Sequence, residues 1–192
     1  MAGYSNTISE TLNELKKKND IYYFVETGTF QGDTTKLAQN IFNKVYTIEL
    51  NNKLYNKARK NLASDSTLVL HGDSASVLNN ILNDLDKNSL FFLDAHWAGD
   101  LSSKGETDTP LWKELNVIKQ RDGKYNDVIV IDDISWLGKK DKIIFKSEWK
   151  SKYYPNGGTF EYDWSDIKKS DVKNLFHNKK IIEVDDRMII YT

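Results

Sequence analysis

The chain has 192 residues, no cysteine, 39% hydrophobic and 29% charged residues and a net charge of −1, values of one globular domain with room for a sizeable core. Balanced charge gives nucleic acid no electrostatic footing, and the lack of cysteine excludes disulfide frameworks and thiolate metal sites. No apolar run approaches a membrane span or a signal-peptide core, so the expectation is a soluble cytoplasmic protein with neither membrane nor nucleic acid as partner. Without repeats or a low-complexity linker, residues 1–192 read as a single domain.

In chain order, Thr7-x-x-Glu10 is a capping box, and Ile8, Leu12 and Leu15 recur at helical spacing. Residues 1–19 therefore open with an amphipathic helix, expected to lie as a lid over a bound ligand. Ile21–Val25, rich in aromatic and β-branched residues, predicts a buried parallel strand. It runs into Glu26-Thr-Gly-Thr-Phe-Gln-Gly32, and a helix start follows. Gly28 and Gly32 remove Cβ where the chain turns tightly, and a helix N-terminus with Thr34 nearby suits a carboxylate or phosphate. A second strand, Val45–Leu50, carries Glu49 at its carboxyl end, about 20 residues past the glycine turn, where such folds bind ribose hydroxyls.

Asn51 is placed to cap a helix whose Leu54, Ala58 and Leu62 form one face. Thr67–His71 is a third strand, with Asp73 and Ser74 at the next helix start. Leu90–Leu93 is a fourth, ending at Asp94. Thr109 and Pro110 read as N-cap and first residue of a helix with Leu111, Leu115 and Ile118 buried. Val128–Ile131 is a fifth strand, closed by Asp132 and Asp133. Lys180–Val184 and Met188–Tyr191, parted by Asp185-Asp-Arg187, predict a final antiparallel hairpin. The Lys-rich stretches 16–18 and 139–142 read as solvated faces. Between residues 139 and 164 an aromatic insert carries Phe145, Trp149, Tyr153, Tyr154, Phe160, Tyr162 and Trp164 around Pro155-Asn-Gly-Gly158. It is either a small satellite core or an acceptor platform.

Three acids end the fourth and fifth strands, where ligands bind in open α/β sheets. Asp94, Asp132 and Asp133 converging there need a cation, since like charges otherwise raise one another's pKa. Oxygen-only ligands select a hard ion such as Mg²⁺ or Mn²⁺.

The order E-x-G-x-x-x-G followed by a hydroxyl residue lacks the middle glycine of a dinucleotide fingerprint and resembles the first motif of class I S-adenosylmethionine-dependent methyltransferases. With Thr47-Ile-Glu-Leu-Asn51, His71-Gly-Asp-Ser74, Phe92-Leu-Asp94 and Ile131-Asp-Asp133, the likeness extends over residues 21–135. It is similar in particular to the catechol O-methyltransferase type, whose turn also carries an aromatic at the Phe30 position. The three acids resemble those of macrocin-type sugar O-methyltransferases. Leu93-Asp-Ala-His-Trp97 and Thr109-Pro-Leu111 also look like short methyltransferase-like proteins of bacteria and large DNA viruses, some concerned with glycan decoration.

The resemblance implies a Rossmann-like α/β fold, with a mostly parallel seven-stranded sheet, a carboxyl-terminal antiparallel hairpin and helices on both faces. It implies S-adenosylmethionine as cofactor, with Glu26, Gly28, Thr29, Phe30, Gly32 and Thr34 around the methionine end. Glu49 would hold the ribose, Leu50 would lie on the adenine face, and Asp73 and Ser74 would bind the adenine. It implies Asp94, Asp132 and Asp133 as ligands of a divalent ion that activates a substrate hydroxyl. The catechol enzymes place a lysine after the metal aspartate; here Asp94-Ala-His-Trp97 offers His96 as base beside Asp94. His71 is expected near the adenine and His177 at a helix end, without catalytic roles. The polar loop 98–108 reads as a substrate lid without a greasy wall, and with Trp97 it favours a sugar or glycan hydroxyl over a catechol-like acceptor. A non-catalytic binding module and a nicotinamide-dependent oxidoreductase are the rival classes, and a homodimer is left open.

Overall fold

The computed structural model describes residues 2–97, 102–145 and 158–192. Trp149, Tyr153, Tyr154, the turn at Pro155 and residues 98–101 of the expected lid lie outside them. The elements alternate: α1 Ala2–Asn19, β1 Tyr23–Thr27, α2 Asp33–Gln39, β2 Lys44–Glu49, α3 Asn52–Leu62, β3 Thr67–His71, α4 Ser74–Ile81, β4 Ser89–Leu93, α5 Leu111–Ile118 and β5 Val128–Ile131. Then come β6 Lys140–Phe145, β7 Gly158–Asp163, α6 Lys169–Leu175, β8 Lys180–Val184 and β9 Arg187–Tyr191.

Seven strands form one sheet in the order β3-β2-β1-β4-β5-β9-β8. β3, β2, β1, β4 and β5 are parallel, while β9 joins β5 and β8 antiparallel. β1, β4 and β5 are buried along their length because helices cover both faces. Strand side chains alternate between the faces. Val25, Phe91 and Ile129 join Leu78 of α4, Leu115 of α5 and Val172 of α6 in one core layer. Phe24, Phe92 and Val130 join Leu12 and Leu15 of α1 and Ala38 of α2 in the other. The closing hairpin turns through Asp185 and Asp186, both with left-handed backbone, as a tight two-residue turn requires.

Three expectations change. The first helix begins at Ala2, so Thr7 lies inside it and is not its cap. From residue 8 onward, where its side chains are described, that helix packs Leu12 and Leu15 on the sheet and lines none of the cavity described below, a core placement where a lid was expected. The aromatic insert contains a two-stranded antiparallel sheet, β6–β7, and its Phe160, Tyr162 and Trp164 are buried in the main core instead of forming a satellite. Among the described residues no helix is long and apolar enough to cross a membrane.

Candidate functional site

The carboxyl ends of β1, β2, β3, β4 and β5 open onto one cavity of about 300 Å³. It lies where strand order reverses between β1 and β4, the place at which such sheets bind ligands.

One half is built from main chain. Gly28 turns the chain with a left-handed φ of 82°, and a Cβ there would press into the carbonyl group of Asp94, so β1 and β4 approach closely only with glycine. Phe30 is also left-handed, at 48°. Its amide donates to Glu49 Oε2 at 2.8 Å, while Glu49 Oε1 accepts the Asn51 amide at 2.7 Å. Glu49 thus clasps the two loops that bound this half. Gly28, Phe30, Glu49, Leu50, Asp73 and Ser74 line the cavity. Asp73 also caps α4, accepting from the Ser76 amide at 3.0 Å.

Four residues expected around the cofactor do not line this cavity. Glu26 is buried under the turn and its Oε2 accepts from the hydroxyls of Thr35 and Thr47. Burial pushes its pKa up to about 8 against those two hydrogen bonds. Thr29 bonds the Thr47 hydroxyl at 2.6 Å. Gly32 faces Leu62 and Thr34 lies on α2, neither lining the cavity. Glu26 and Thr29 hold the turn from beneath through the Thr47 hydroxyl. His71 points to the Leu50 carbonyl and stacks on Tyr55, outside the cavity, and His177 stands just past the end of α6.

The other half is built from charged side chains. His96 Nδ1 lies 3.3 Å from Asp94 Oδ1 and its Nε2 lies 3.4 Å from Asp133 Oδ2. Ligand atoms of Asp94, His96 and Asp133 all fall within 4.8 Å of one another. Asp133 has a left-handed φ of 54°, a strained conformation for a non-glycine residue that turns it toward His96. Burial disfavours a charged imidazole, but the Asp94 hydrogen bond and the neighbouring carboxylates outweigh it and raise the His96 pKa. Asp132, expected in the metal set, is outside this triad. Its Oδ1 takes the Asp133 amide at 3.1 Å and lies 3.1 Å from Nε of the buried Arg187. Burial and Asp94 push its carboxyl well above the usual range while Arg187 opposes them.

Arg187 was legible in the sequence only as a turn residue; a lone arginine opening an apolar strand is the one signal that marks it as a buried partner for an acid. Trp136 and Trp164 meet the His96 ring edge-on at 5.1 and 5.3 Å, and Trp136 stacks on Tyr162 at 4.7 Å. Only Trp97 and Phe30 bring large aromatic rings to the cavity lining among the described residues. Over the cavity, the loop before α5 is pinned by Asp108, whose carboxylate takes the Asp163 amide at 2.6 Å and Lys104 Nζ at 2.6 Å.

No protein-family model and no curated protein sequence matches the chain. Solved structures do. An O-methyltransferase from Bacillus cereus in complex with S-adenosylhomocysteine superposes with a TM-score of 0.55 at 16% identity, over 97% of this chain and 81% of that one. An amino pentose methyltransferase from Micromonospora echinaspora, bound to S-adenosylmethionine, gives 0.54 at 9% identity over 98% and 90%. A glycopeptide N-methyltransferase complexed with sinefungin gives 0.53 at 12% over 95% and 85%. At these identities the likeness shows the fold, that of the class I methyltransferases.

Proposed function

We propose that this chain is an S-adenosylmethionine-dependent O-methyltransferase that uses a divalent ion and acts on a hydroxyl of a sugar or glycan. The observation that carries the reading is the continuity of one cavity from the glycine turn and Glu49 to the triad of Asp94, His96 and Asp133. The cavity fits the cofactor. Its cradle is glycine backbone, Glu49 brings a carboxylate that would take the ribose hydroxyls, and Leu50, 38% exposed, is an apolar side chain free to cover a base. The Asp94 and Asp133 carboxylates also fit a hard divalent ion such as Mg²⁺ or Mn²⁺.

When bound, the cofactor supplies a methyl group activated on a sulfonium, and the ion supplies Lewis-acid lowering of the hydroxyl pKa. Asp94 and Asp133 would hold the ion. Asp132, turned to Arg187, orients Asp133 through its amide. Here the His96 ring nitrogens face Asp94 and Asp133; with those carboxylates engaged by the ion, one nitrogen would be freed to accept the hydroxyl proton. The buried aromatic side chains behind it exclude water from that ring. Trp97 offers an aromatic face to the C–H side of a sugar, which supports this acceptor over a catechol.

Calorimetry with S-adenosylhomocysteine tests the cofactor half. Glu49→Ala should lose roughly 1.5–3 kcal/mol of affinity, and unchanged binding would refute the assignment. Chelator should abolish methyl transfer to sugar hydroxyls without changing that affinity, with Mn²⁺ restoring it; full turnover in EDTA would remove the metal from the reading.

A further inference from the structure

The loop that leads into α5 runs across both halves of the cavity. Ser102, Ser103, Gly105, Glu106, Thr107 and Asp108 line it, yet residues 104–107 are exposed, so one thickness of chain separates the cavity from solvent. The base of the loop is buried at the metal half. Asp108, 7% exposed, accepts the Asp163 amide and the Lys104 ammonium on its carboxylate, each at 2.6 Å, and the Trp97 amide on its carbonyl at 2.8 Å. Lys104 also lies 5.0 Å over the Trp97 ring.

The tip of the loop reaches the cofactor half. A methyl group added at Gly105 would lie 3.8 Å from Cδ2 of Leu50, the side chain assigned to the adenine face. Next to it, Glu106 Oε2 meets Lys113 Nζ at 2.6 Å. Lys113 stands in the first turn of α5, where a cation opposes the helix dipole, so the helix itself gives no reason for a lysine there. It is within electrostatic reach of Asp73, one of the residues expected at the adenine. The two ends of the loop differ in strength. The base is buried and charge-assisted, whereas the Glu106–Lys113 pair is exposed on both sides, and such pairs are weak and screened by salt.

We propose that residues 102–108 form a strap over the cofactor half, hinged at Asp108 and latched by the Glu106–Lys113 ion pair, and that S-adenosylhomocysteine enters and leaves when the latch opens. The inference rests on the cofactor reading above and extends it: a loop expected over the acceptor also gates the nucleoside. A latch that forms equally in the free and the bound protein slows entry and exit alike. Its removal therefore raises both rates and leaves affinity unchanged, whereas loss of a direct ligand contact raises the exit rate alone.

Stopped-flow tryptophan fluorescence on the full chain in EDTA follows both rates, with Trp97 in the cavity lining as reporter. Glu106→Gln should raise association and release of S-adenosylhomocysteine together by about two- to fivefold, the worth of an exposed ion pair, and high salt should do the same to wild type but not to the variant. The chain has no cysteine, so Glu106→Cys with Lys113→Cys gives a single addressable pair. Bridged by a short bismaleimide after loading, that variant should release the ligand more than about tenfold more slowly, because a lid that cannot lift leaves it no path. Unchanged release from the bridged protein overturns the strap. A rise in release alone for Glu106→Gln overturns the latch and makes Glu106 a ligand contact. If wild type binds no S-adenosylhomocysteine, the cofactor reading fails and the strap falls with it; if wild type binds and the bridged variant exchanges ligand freely, the strap alone falls.

Discussion

The two halves of the cavity bury carboxylates by opposite means. Glu26, under the glycine turn, has no ion-pair partner among the described residues; hydroxyls of Thr35 and Thr47 hold it and burial pushes it up to about 8, so a proton neutralises it. Asp94, Asp132 and Asp133 are offset instead by His96 and Arg187. A carboxyl neutralised by its own proton is a fixed part of the scaffold at neutral pH. Carboxylates held by exchangeable partners answer to protons and cations, which is the property chemistry uses. The contrast places structure on one side of the cavity and reactivity on the other.

The sharpest break of that contrast is at His96. Its replacement by Ala should lower kcat by roughly 10²–10⁴ and remove the acidic limb of the rate profile at saturating Mn²⁺, with cofactor affinity unchanged. A parallel loss of Mn²⁺ affinity would make His96 a ligand and return the proton to another acceptor. Arg187→Met comes next. It leaves Asp132 buried without its partner, and chemical denaturation at neutral pH should show a loss of about 3–5 kcal/mol. That loss should shrink in acid, where the Asp132 carboxyl, already raised by burial, takes a proton. An equal loss at all pH values would mean that Arg187 works by packing.

On the scaffold side, Gly28→Ala adds a methyl against the Asp94 carbonyl on left-handed backbone, and a cost of about 2–4 kcal/mol is expected. Gly32→Ala, with the same backbone sign, meets only the far end of the flexible Leu62 side chain and no backbone, and should cost about 1–2 kcal/mol. Reversal of that order in denaturation midpoints would remove the close approach of β1 to β4 as the reason for glycine. The smallest effect is at Glu26. Its folded pKa lies above the unfolded value, so the native state holds a proton the unfolded chain loses, and the Tm of wild type should decline as pH rises from about 5 to 8. Glu26→Gln should flatten that decline, and an undiminished slope would show Glu26 to be ionised after all.

The five parallel strands were legible because each is a short apolar run closed by glycine or an acid, and burial on both faces keeps β1, β2, β4 and β5 free of alternation. Asn51 and Asp73 were legible as caps because capping is a contact between residues two or three apart. β6 was hidden: Lys140-Asp-Lys-Ile-Ile-Phe145 is charged at its start, and pairing with β7 decides its conformation. The helix Ala2–Asn19 was legible from residue 7 onward, but which surface it covers was not, since an apolar stripe shows that a face is buried without naming its partner.

By itself the sequence determined the strand–helix alternation, the glycine turn and the acids at the strand ends, because propensity, capping and turn chemistry act over a few residues. Only the tertiary structure decided which acids meet which partners. Arg187 reaches Asp132 from a strand that joins the sheet last and antiparallel, and His96 comes between Asp94 and Asp133 because β4 and β5 lie side by side. Charge pairing acts through space over a few ångströms, and the sequence separation of the partners carries no record of it.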